Sequence, residues 1–301
     1  MKRLILLAAI ALPLLCSAQY VSEVWSPDNG DGTYTNPVIN ADYSDPDVCV
    51  GASGEDYYMT ASSFQCTPGL PILHSKDLVN WQIINYALGN LYEGDEALQQ
   101  HFSTPRHGAG VWAPSIRYHD GWYYIYWGDP DFGVYMVKTQ DPAGKWEPPV
   151  CVIKGQGYID TCPLWDSDGR CYLVNGWANS RSKFASVLTV RELSADGTKA
   201  IGEPVIVFDG NGTENRTCEG PKFYKRDGWY WIMVLLVVCL RGSNWLCARR
   251  VRMAPMSIRS CWLRARPTST ALIRVVGCIR SMARTGSCIS RTRRRMGEWC
   301  I

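Results

Sequence analysis

A turn containing Asp or Gly, followed by an aromatic strand, occurs four times before residue 234 and constrains the fold more than any other feature. The copies are GEDYYMTASSF (54–64), DGWYYIYWG (120–128), DGRCYLVNGW (168–177) and RDGWYWIM (226–233). Their Asp residues, Asp56, Asp120, Asp168 and Asp227, are 64, 48 and 59 positions apart. Almost no stretch has the period of a long amphipathic helix. Units of about 50 residues predict an all-β fold, and a β-propeller rather than an irregular β-sandwich.

The N-terminus has the pattern of a secretory signal peptide. Lys2 and Arg3 precede an apolar run over residues 4–15, and small residues end at Ala18, after which we expect cleavage. The apolar run is short for a membrane span. Cys16 raises lipoprotein anchoring as a second option, which the bulky Leu15 before it disfavours. We therefore expect an exported protein, periplasmic or extracellular, without a transmembrane segment.

Each unit carries an acidic or aromatic residue near the start of a strand. Asp45 lies in TNPVINADYSDPDV, Trp112 in GVWAPSIRYHDGWYYIYW, Asp160 in GYIDTCPLWDSDGRCYLV and Glu219 in NRTCEGPKFYKRDGWYWI. Taken singly, each acid is equally consistent with turn or cap chemistry. Because the innermost strand of every propeller unit lines a central channel, acids from three units can converge there. We expect GWYWIM (228–233), which follows Glu219, to be such an innermost strand.

These segments, together with DYYMTASSFQCTPGLPILHSKDLVNW, make residues 34–233 resemble glycoside hydrolase family 43. The resemblance implies a five-bladed β-propeller and an inverting hydrolase acting on arabinose- and xylose-containing plant polysaccharides. Position by position, it implies that Asp45 is the general base, Glu219 the general acid, and Asp160 the acid that tunes and orients Glu219. Trp112 and Phe64 are candidate walls of the sugar pocket, although either could equally belong to the core.

The implied chemistry suits these residue types. Inversion needs one carboxylate to activate water and one protonated carboxyl group to protonate the leaving oxygen, about 6.5–9.5 Å apart. Glu219 must keep its proton near neutral pH, and a negative charge on Asp160 would raise its pKa. No cofactor is required. Family members hold a Ca²⁺ ion in the channel with a central His, and because that His is missing here we expect no metal site.

The chain changes character after Met233. Of the 31 Lys and Arg residues, 14 lie after it, all of them Arg, with only one of the 28 acidic residues, Glu298. The tail contains no Tyr, Phe, His, Lys or Asp. A basic domain that binds nucleic acid or anionic surfaces, a disordered arginine-rich tail, and DNA read in the wrong frame all fit this composition.

The third explanation can be tested on the sequence, because each pair of adjacent residues constrains one codon of a shifted frame. If the coding DNA is read one base over, codons for residues 266–277 can encode DINGPHQGGW. This string resembles the family segment that carries the central His. Residues 282–301 permit GEDWFLHFQDKTAYGRMVY, a fifth turn-plus-strand copy 58 positions after Asp227, and residues 234–239 permit PAGGV. We therefore predict a signal peptide at 1–18, an incomplete propeller at 19–233 with about four blades in frame, and a frameshifted, non-native tail at 234–301.

Three classes of function were weighed. The favoured one is an exported inverting glycoside hydrolase whose present chain folds poorly and has little activity. The alternative is a non-catalytic carbohydrate-binding propeller, which would have no need of all three of Asp45, Asp160 and Glu219. The charge of the arginine tail would suit a nucleic-acid binder. The sequence, however, lacks aromatic interleaving and any recognisable nucleic-acid-binding module. We expect an oligosaccharide or polysaccharide partner and no nucleic acid.

Overall fold

A computed structural model of the chain describes residues 24–65, 67–89, 108–212, 217–226, 229–238, 243–251 and 262–265. Within them, sixteen β-strands form four antiparallel sheets of four strands each, with one short helix, α1 (Asn179–Ser182). The all-β class predicted from the sequence is confirmed. No helix in the described part of the chain is long and apolar enough to cross a membrane.

Each sheet is built from four consecutive strands that pair in chain order. Sheet 1 contains β1 (Asp47–Val50), β2 (Tyr57–Thr60), β3 (Gly69–Ser75) and β4 (Gln82–Leu88). Sheet 2 contains β5 (Trp112–His119), β6 (Trp122–Asp129), β7 (Gly133–Thr139) and β8 (Val150–Lys154). Sheet 3 contains β9 (Tyr158–Trp165), β10 (Cys171–Trp177), β11 (Val187–Leu193) and β12 (Val205–Asp209). Sheet 4 contains β13 (Cys218–Arg226), β14 (Trp229–Val238), β15 (Ser243–Val251) and β16 (Trp262–Ala265).

In sheets 1, 2 and 3 the repeated Asp-containing turns join the first two strands, while the fourth copy, at Asp227, lies outside the described residues. In sheet 2, His119 pairs with Trp122, so Asp120 and Gly121 alone make the turn. Both have positive φ, 44° and 81°, the combination that a two-residue hairpin needs and that Asp-Gly readily adopts. The aromatic strands that follow these turns are β2, β6, β10 and β14.

The expectation that GWYWIM is an innermost strand was wrong. It forms the start of β14, which pairs with β13 on one side and β15 on the other. The strands whose ends approach one another across the molecule are instead the first of each sheet, since β1 contacts β5, β5 contacts β9, and β9 contacts β13. Aromatic residues in the second strands pack into the apolar layers between sheets, as Tyr126 and Trp127 of β6 do.

Three apolar layers hold the four sheets together. Sheets 1 and 2 share a layer around Ile72 and Trp127, and sheets 2 and 3 share one around Tyr126 and Leu173. Sheets 3 and 4 share a third layer, which includes Phe223. The far face of sheet 1 packs against the segment that precedes β1, through residues such as Ile39 and Tyr43.

Several sequence expectations fall beyond the described residues. The signal peptide at 1–18 lies outside them, as does the tail after residue 265. Within the tail, β14 continues through Val238, and β15 and β16 complete sheet 4. The four sheets account for every strand in the described part of the chain, and the fifth blade and the frameshift stay predictions.

Candidate active site

The site is built from one four-residue segment that recurs at the start of the first strand of every sheet. The four copies are Ser44-Asp45-Pro46-Asp47, Trp112-Ala113-Pro114-Ser115, Ile159-Asp160-Thr161-Cys162 and Glu219-Gly220-Pro221-Lys222. In sheet 4, Glu219 pairs with Leu235 and Lys222 with Met233, so three steps on β13 match two on β14. One residue is therefore extra, which defines a β-bulge.

The same extra residue occurs in the other sheets. Trp112 and Ser115 pair with residues two apart on β6, and Ile159 and Cys162 do so on β10. In sheet 1, Ser62 N–H donates to the Ser44 carbonyl at 2.9 Å while Asp47 pairs with Thr60. The bulge is thus a repeated feature of the fold. It bends each first strand at the point where that strand meets the others.

The second residue of every segment adopts a left-handed backbone. The φ angles are 50° at Asp45, 32° at Ala113, 54° at Asp160 and 62° at Gly220. Glycine adopts this region freely and Asp more readily than most residues, whereas Ala is strained there. Two of the three predicted acids, Asp45 and Asp160, therefore occupy equivalent positions. Glu219 comes from the position before.

Asp45 is exposed and is oriented by Ser62. The Ser62 hydroxyl donates to Asp45 Oδ2 at 2.7 Å and accepts the backbone N–H of Ala113 at 2.8 Å. This bridge ties the predicted general base to the bulge of sheet 2. Sequence analysis missed Ser62, because the sequence TASSF offers two adjacent serines and no sign of which one faces the acid.

Asp160 and Glu219 are brought together by the bulge of sheet 4. The N–H of Gly220, the residue after Glu219, donates to Asp160 Oδ2 at 2.8 Å. Burial raises the pKa of Asp160 to about 6, and the charges of Glu219 and Asp45 add to the rise. Burial also raises the pKa of Glu219, and the charge of Asp45 raises it further. The three acids therefore interact electrostatically with one another.

The coupling between Asp160 and Glu219 takes a different form from the one expected. The sequence argument had the charge of Asp160 raising the pKa of Glu219. In the structure the charge of Glu219 raises the pKa of Asp160, while Asp45 supplies the electrostatic rise at Glu219. Both descriptions refer to the same repulsion between two carboxylates. It raises the pKa of whichever group loses its proton last. The role of Asp160 as a modulator stays a prediction.

Trp112 and Phe64 lie side by side, both half-buried. Their rings are 6.2 Å apart at 68°, an edge-to-face contact. The indole N–H of Trp112 donates to the Gly108 carbonyl at 2.9 Å, which fixes the ring. Trp112 directly precedes the left-handed Ala113, so its place in the repeat is that of Glu219 in sheet 4. A rigid aromatic pair next to acids suits a sugar face, and the assignment of both residues to substrate binding stays a prediction.

A layer of charged and polar residues lies one step deeper, at the fourth position of each segment. Asp47 accepts hydrogen bonds from the N–H of Ile116 at 2.9 Å and from Arg117 Nη1 at 2.6 Å. Arg117 Nη2 also contacts Cys162 Sγ at 2.7 Å. Lys222 donates to the Pro114 carbonyl at 3.2 Å. Sequence analysis singled out none of these residues, because their partners lie on other sheets.

The described residues include few free metal donors near the site. Within the described ranges there is no group of three or more His, Cys, Asp and Glu residues that could hold a metal ion. Asp47, the most deeply placed carboxylate of the inner strands, is already occupied by Arg117 and an amide. These residues do not fit a cation. None of them is a His that could hold a Ca²⁺ ion.

Glycoside hydrolases typically use a pair of carboxyl groups at one site. Here three carboxylates from separate sheets interact near the fixed ring of Trp112. Comparison with known proteins agrees with that class. The model of glycosyl hydrolases family 43 matches residues 34–236, about two thirds of the chain. The chain belongs to this family.

Relatives and solved structures support the same assignment. A candidate β-xylosidase of Xylanibacter ruminicola is 38% identical over 208 residues, covering 69% of this chain and 36% of that protein. A non-reducing end α-L-arabinofuranosidase of Bacteroides ovatus is 34% identical over 205 residues, covering 67% and 35%. A crystal structure of a family 43 protein from Bacillus licheniformis matches with a TM-score of 0.60 at 30% identity, covering 76% and 43%. This chain matches little more than a third of the length of these curated relatives.

Proposed function

We propose that this chain derives from an exported, inverting glycoside hydrolase that removes arabinose or xylose units from hemicellulose such as arabinoxylan. The fold would be a five-bladed β-propeller, of which the four described sheets are blades and the fifth is encoded in another frame. The relatives named above are described as a β-xylosidase and an α-L-arabinofuranosidase. The proposal therefore covers both sugars and does not choose between them.

The mutual electrostatic coupling of Asp45, Asp160 and Glu219 is the observation that carries the proposal. Three acids from three sheets repel one another, and two of them have raised pKa values. Such an arrangement is unfavourable for folding and useful for acid–base chemistry. A module that only bound sugar would gain nothing from this repulsion.

Each residue has a distinct part in the proposed reaction. Asp45, exposed and held by Ser62, accepts the proton of the attacking water. Glu219, whose pKa is raised by burial and by the charge of Asp45, donates a proton to the leaving oxygen. Asp160 is tied to the backbone next to Glu219 and holds that segment in place. Trp112 and Phe64 form a wall for the sugar ring. No metal or cofactor takes part.

Assays on aryl glycosides and on natural glycosides distinguish the role of Glu219 from that of Asp45. In Glu219→Gln we expect the loss on arabinoxylan to be about 10²–10⁴-fold, and much smaller on a dinitrophenyl glycoside, because that leaving group needs little protonation. In Asp45→Asn the loss should be as large on both substrates, since water activation is needed for each. The measurement is kcat/KM for release of arabinofuranose or xylose.

Asp42→Asn provides the matched control, since Asp42 is an exposed acid in the same motif as Asp45. It should leave kcat/KM unchanged in all assays. Each variant is best measured both in this chain and in a frame-restored chain, because we expect this chain to have little activity. Sugar binding without hydrolysis by either chain would instead identify a carbohydrate-binding propeller.

A further inference from the structure

The fourth position of the repeated segment links each sheet to the next one in the chain. Asp47 of sheet 1 accepts from the backbone of Ile116 in sheet 2 at 2.9 Å. The Ser115 hydroxyl of sheet 2 donates to the Thr161 carbonyl of sheet 3 at 2.5 Å. Cys162 Sγ of sheet 3 accepts from the backbone of Phe223 in sheet 4 at 3.2 Å. Three different side chains thus perform one structural task.

Lys222 occupies the same position in sheet 4 and behaves differently. Its ammonium group reaches back to the first two sheets, 3.2 Å from the Pro114 carbonyl and 3.7 Å from Asp47 Oδ1. The side chain is 18% exposed. Lys222 is the one member of the four that brings a positive charge, and it brings it to the centre of the inner strands.

That positive charge is not needed by its nearest carboxylate. Asp47 already has Arg117 Nη1 at 2.6 Å, a closer contact than the 3.7 Å to Lys222. Two cations and one anion leave a surplus positive charge in this layer. A partly buried surplus charge is costly unless other charges compensate it. The acids that can do so belong to the same repeated segments, at Asp45, Asp160 and Glu219.

The bulge places Lys222 on the same face of β13 as Glu219. Residues three apart in a regular strand point to opposite faces, whereas the extra residue at Gly220 places Glu219 and Lys222 on the same face. Gly220 also donates its N–H to Asp160. Glu219, Gly220 and Lys222 therefore all act on the neighbourhood of Asp160 from one short segment.

We propose that Lys222 is an electrostatic positioning residue that keeps Asp160 ionised beside Glu219. This inference rests on the proposed function for its purpose, although not for its test. The charged groups acting on Asp160 are Glu219 and Lys222 from β13 and Asp45 from the segment before β1. The first and last of these are acids and disfavour a charged Asp160. Lys222 is the cation that opposes them, and its charge lowers the pKa of Asp160.

The alternative is that Lys222 serves only as a tie between sheets through Pro114 and Asp47. Substitutions of Lys222 separate the two roles. Lys222→Met removes both the charge and the hydrogen-bond donor. Lys222→Gln removes the charge and keeps a donor for the Pro114 carbonyl. Lys222→Arg keeps both. Lys225→Met is the matched control, since Lys225 lies on the same strand and pairs with Asp166 instead.

The experiment follows the side-chain carboxyl resonances of the full chain, labelled with carbon-13 aspartate, as pH is varied. Asp160 should titrate near pH 6, well above ordinary Asp residues, and its resonance is identified by its loss in Asp160→Asn. In Lys222→Met and Lys222→Gln the midpoint should rise by about half to one pH unit. In Lys222→Arg and Lys225→Met it should stay where it is in the unmodified chain.

An unchanged midpoint in Lys222→Gln would overturn the proposal, and it does so even if Lys222→Met fails to fold. A rise in Lys222→Met alone would also overturn it, since the donor rather than the charge would then matter. None of these readouts uses catalysis. Absence of hydrolysis in the frame-restored chain, with the expected shifts present, would count against the proposed function and leave the role of Lys222 intact.

Discussion

The inner pair of sheets and the outer pair differ in what covers them. Sheet 2 and sheet 3 each pack against a neighbouring sheet on both faces. Sheet 1 and sheet 4 each pack against a neighbouring sheet on one face only. Sheet 1 covers its other face with the segment before β1. Sheet 4 presents Trp231 and Met233 half-buried, and Leu235 is 37% exposed. The sheet that carries Glu219 is thus the least covered of the four within the described residues.

This difference follows the sequence. The family match ends at residue 236, inside β14 of sheet 4. Beyond that point the chain supplies strands β15 and β16 and the arginine-rich tail. Within the described residues, sheet 4 has its four strands paired while Leu235 on its second face stays 37% exposed. Backbone hydrogen bonds tolerate almost any side chain, whereas packing does not.

Restoring the reading frame after residue 233 should change the difference between sheet 4 and the other sheets most. A covering fifth sheet would bury Trp231, Met233 and Leu235, each contributing about 1.5–3 kcal/mol when fully buried. We expect the melting temperature to rise by about 10 °C or more and glycoside release to increase strongly. Thermal unfolding and aryl glycoside assays on both chains measure this. Equal stability and equal activity would refute the frameshift explanation.

A pair of substitutions on opposite faces of sheet 4 should have the next largest effect. Phe223 is 1% exposed in the layer between sheets 3 and 4, so Phe223→Ala should lower the free energy of unfolding by about 3–5 kcal/mol. Met233→Ala, on the uncovered face, should lower it by about 1 kcal/mol in the chain as given, because less area is buried there. Urea unfolding gives both values, and equal losses would mean that the two faces are covered alike.

The polar contact between sheets 3 and 4 should have a smaller effect than the apolar contact made by Phe223. Burial disfavours the charged form of Asp166, yet hydrogen bonds from Lys225 and Tyr230 outweigh it and lower the pKa of Asp166 to about 2. The ionised group stabilises the fold by about 2 kcal/mol above pH 4, and this is lost as pH falls from 4 towards 2. Asp166→Asn should lose a similar amount at pH 7 and weaken the pH dependence of the melting temperature.

An Asp168→Asn chain is the control for this last effect. Asp168 is an exposed acid in the same turn, paired with Arg170 at the surface. Exposed pairs contribute little to stability. If Asp168→Asn and Asp166→Asn proved equally destabilising, the contact between sheets 3 and 4 would not be what stabilises this region.

The sequence predicted the hairpins well because their signals are local. Asp120 and Gly121 specify a two-residue turn by their own backbone preferences, and the aromatic strand follows directly. It placed GWYWIM wrongly because alternation reveals a strand and not its order in the sheet. The first strands have a weaker signal, a short segment with Pro in three of four copies.

The acids of the site were predicted through the family resemblance, while their supporting contacts were not. Asp45, Asp160 and Glu219 do lie together. The hydroxyl of Ser62, the pair of Asp47 and Arg117, and the reach of Lys222 each join residues more than fifteen positions apart. Such contacts depend on how sheets pack against one another. No pattern within a single strand encodes that packing.

The left-handed residue gives the four repeated segments of the site the same local backbone conformation. Asp45, Ala113, Asp160 and Gly220 share one left-handed backbone conformation, and an acid occupies it in two of the four copies. Ala is the member least suited to a positive φ, so Asp at position 113 would suit the existing backbone better than the residue now there. New acid–base sites could therefore be designed on this scaffold by exchanging single residues, with the main chain left as it is.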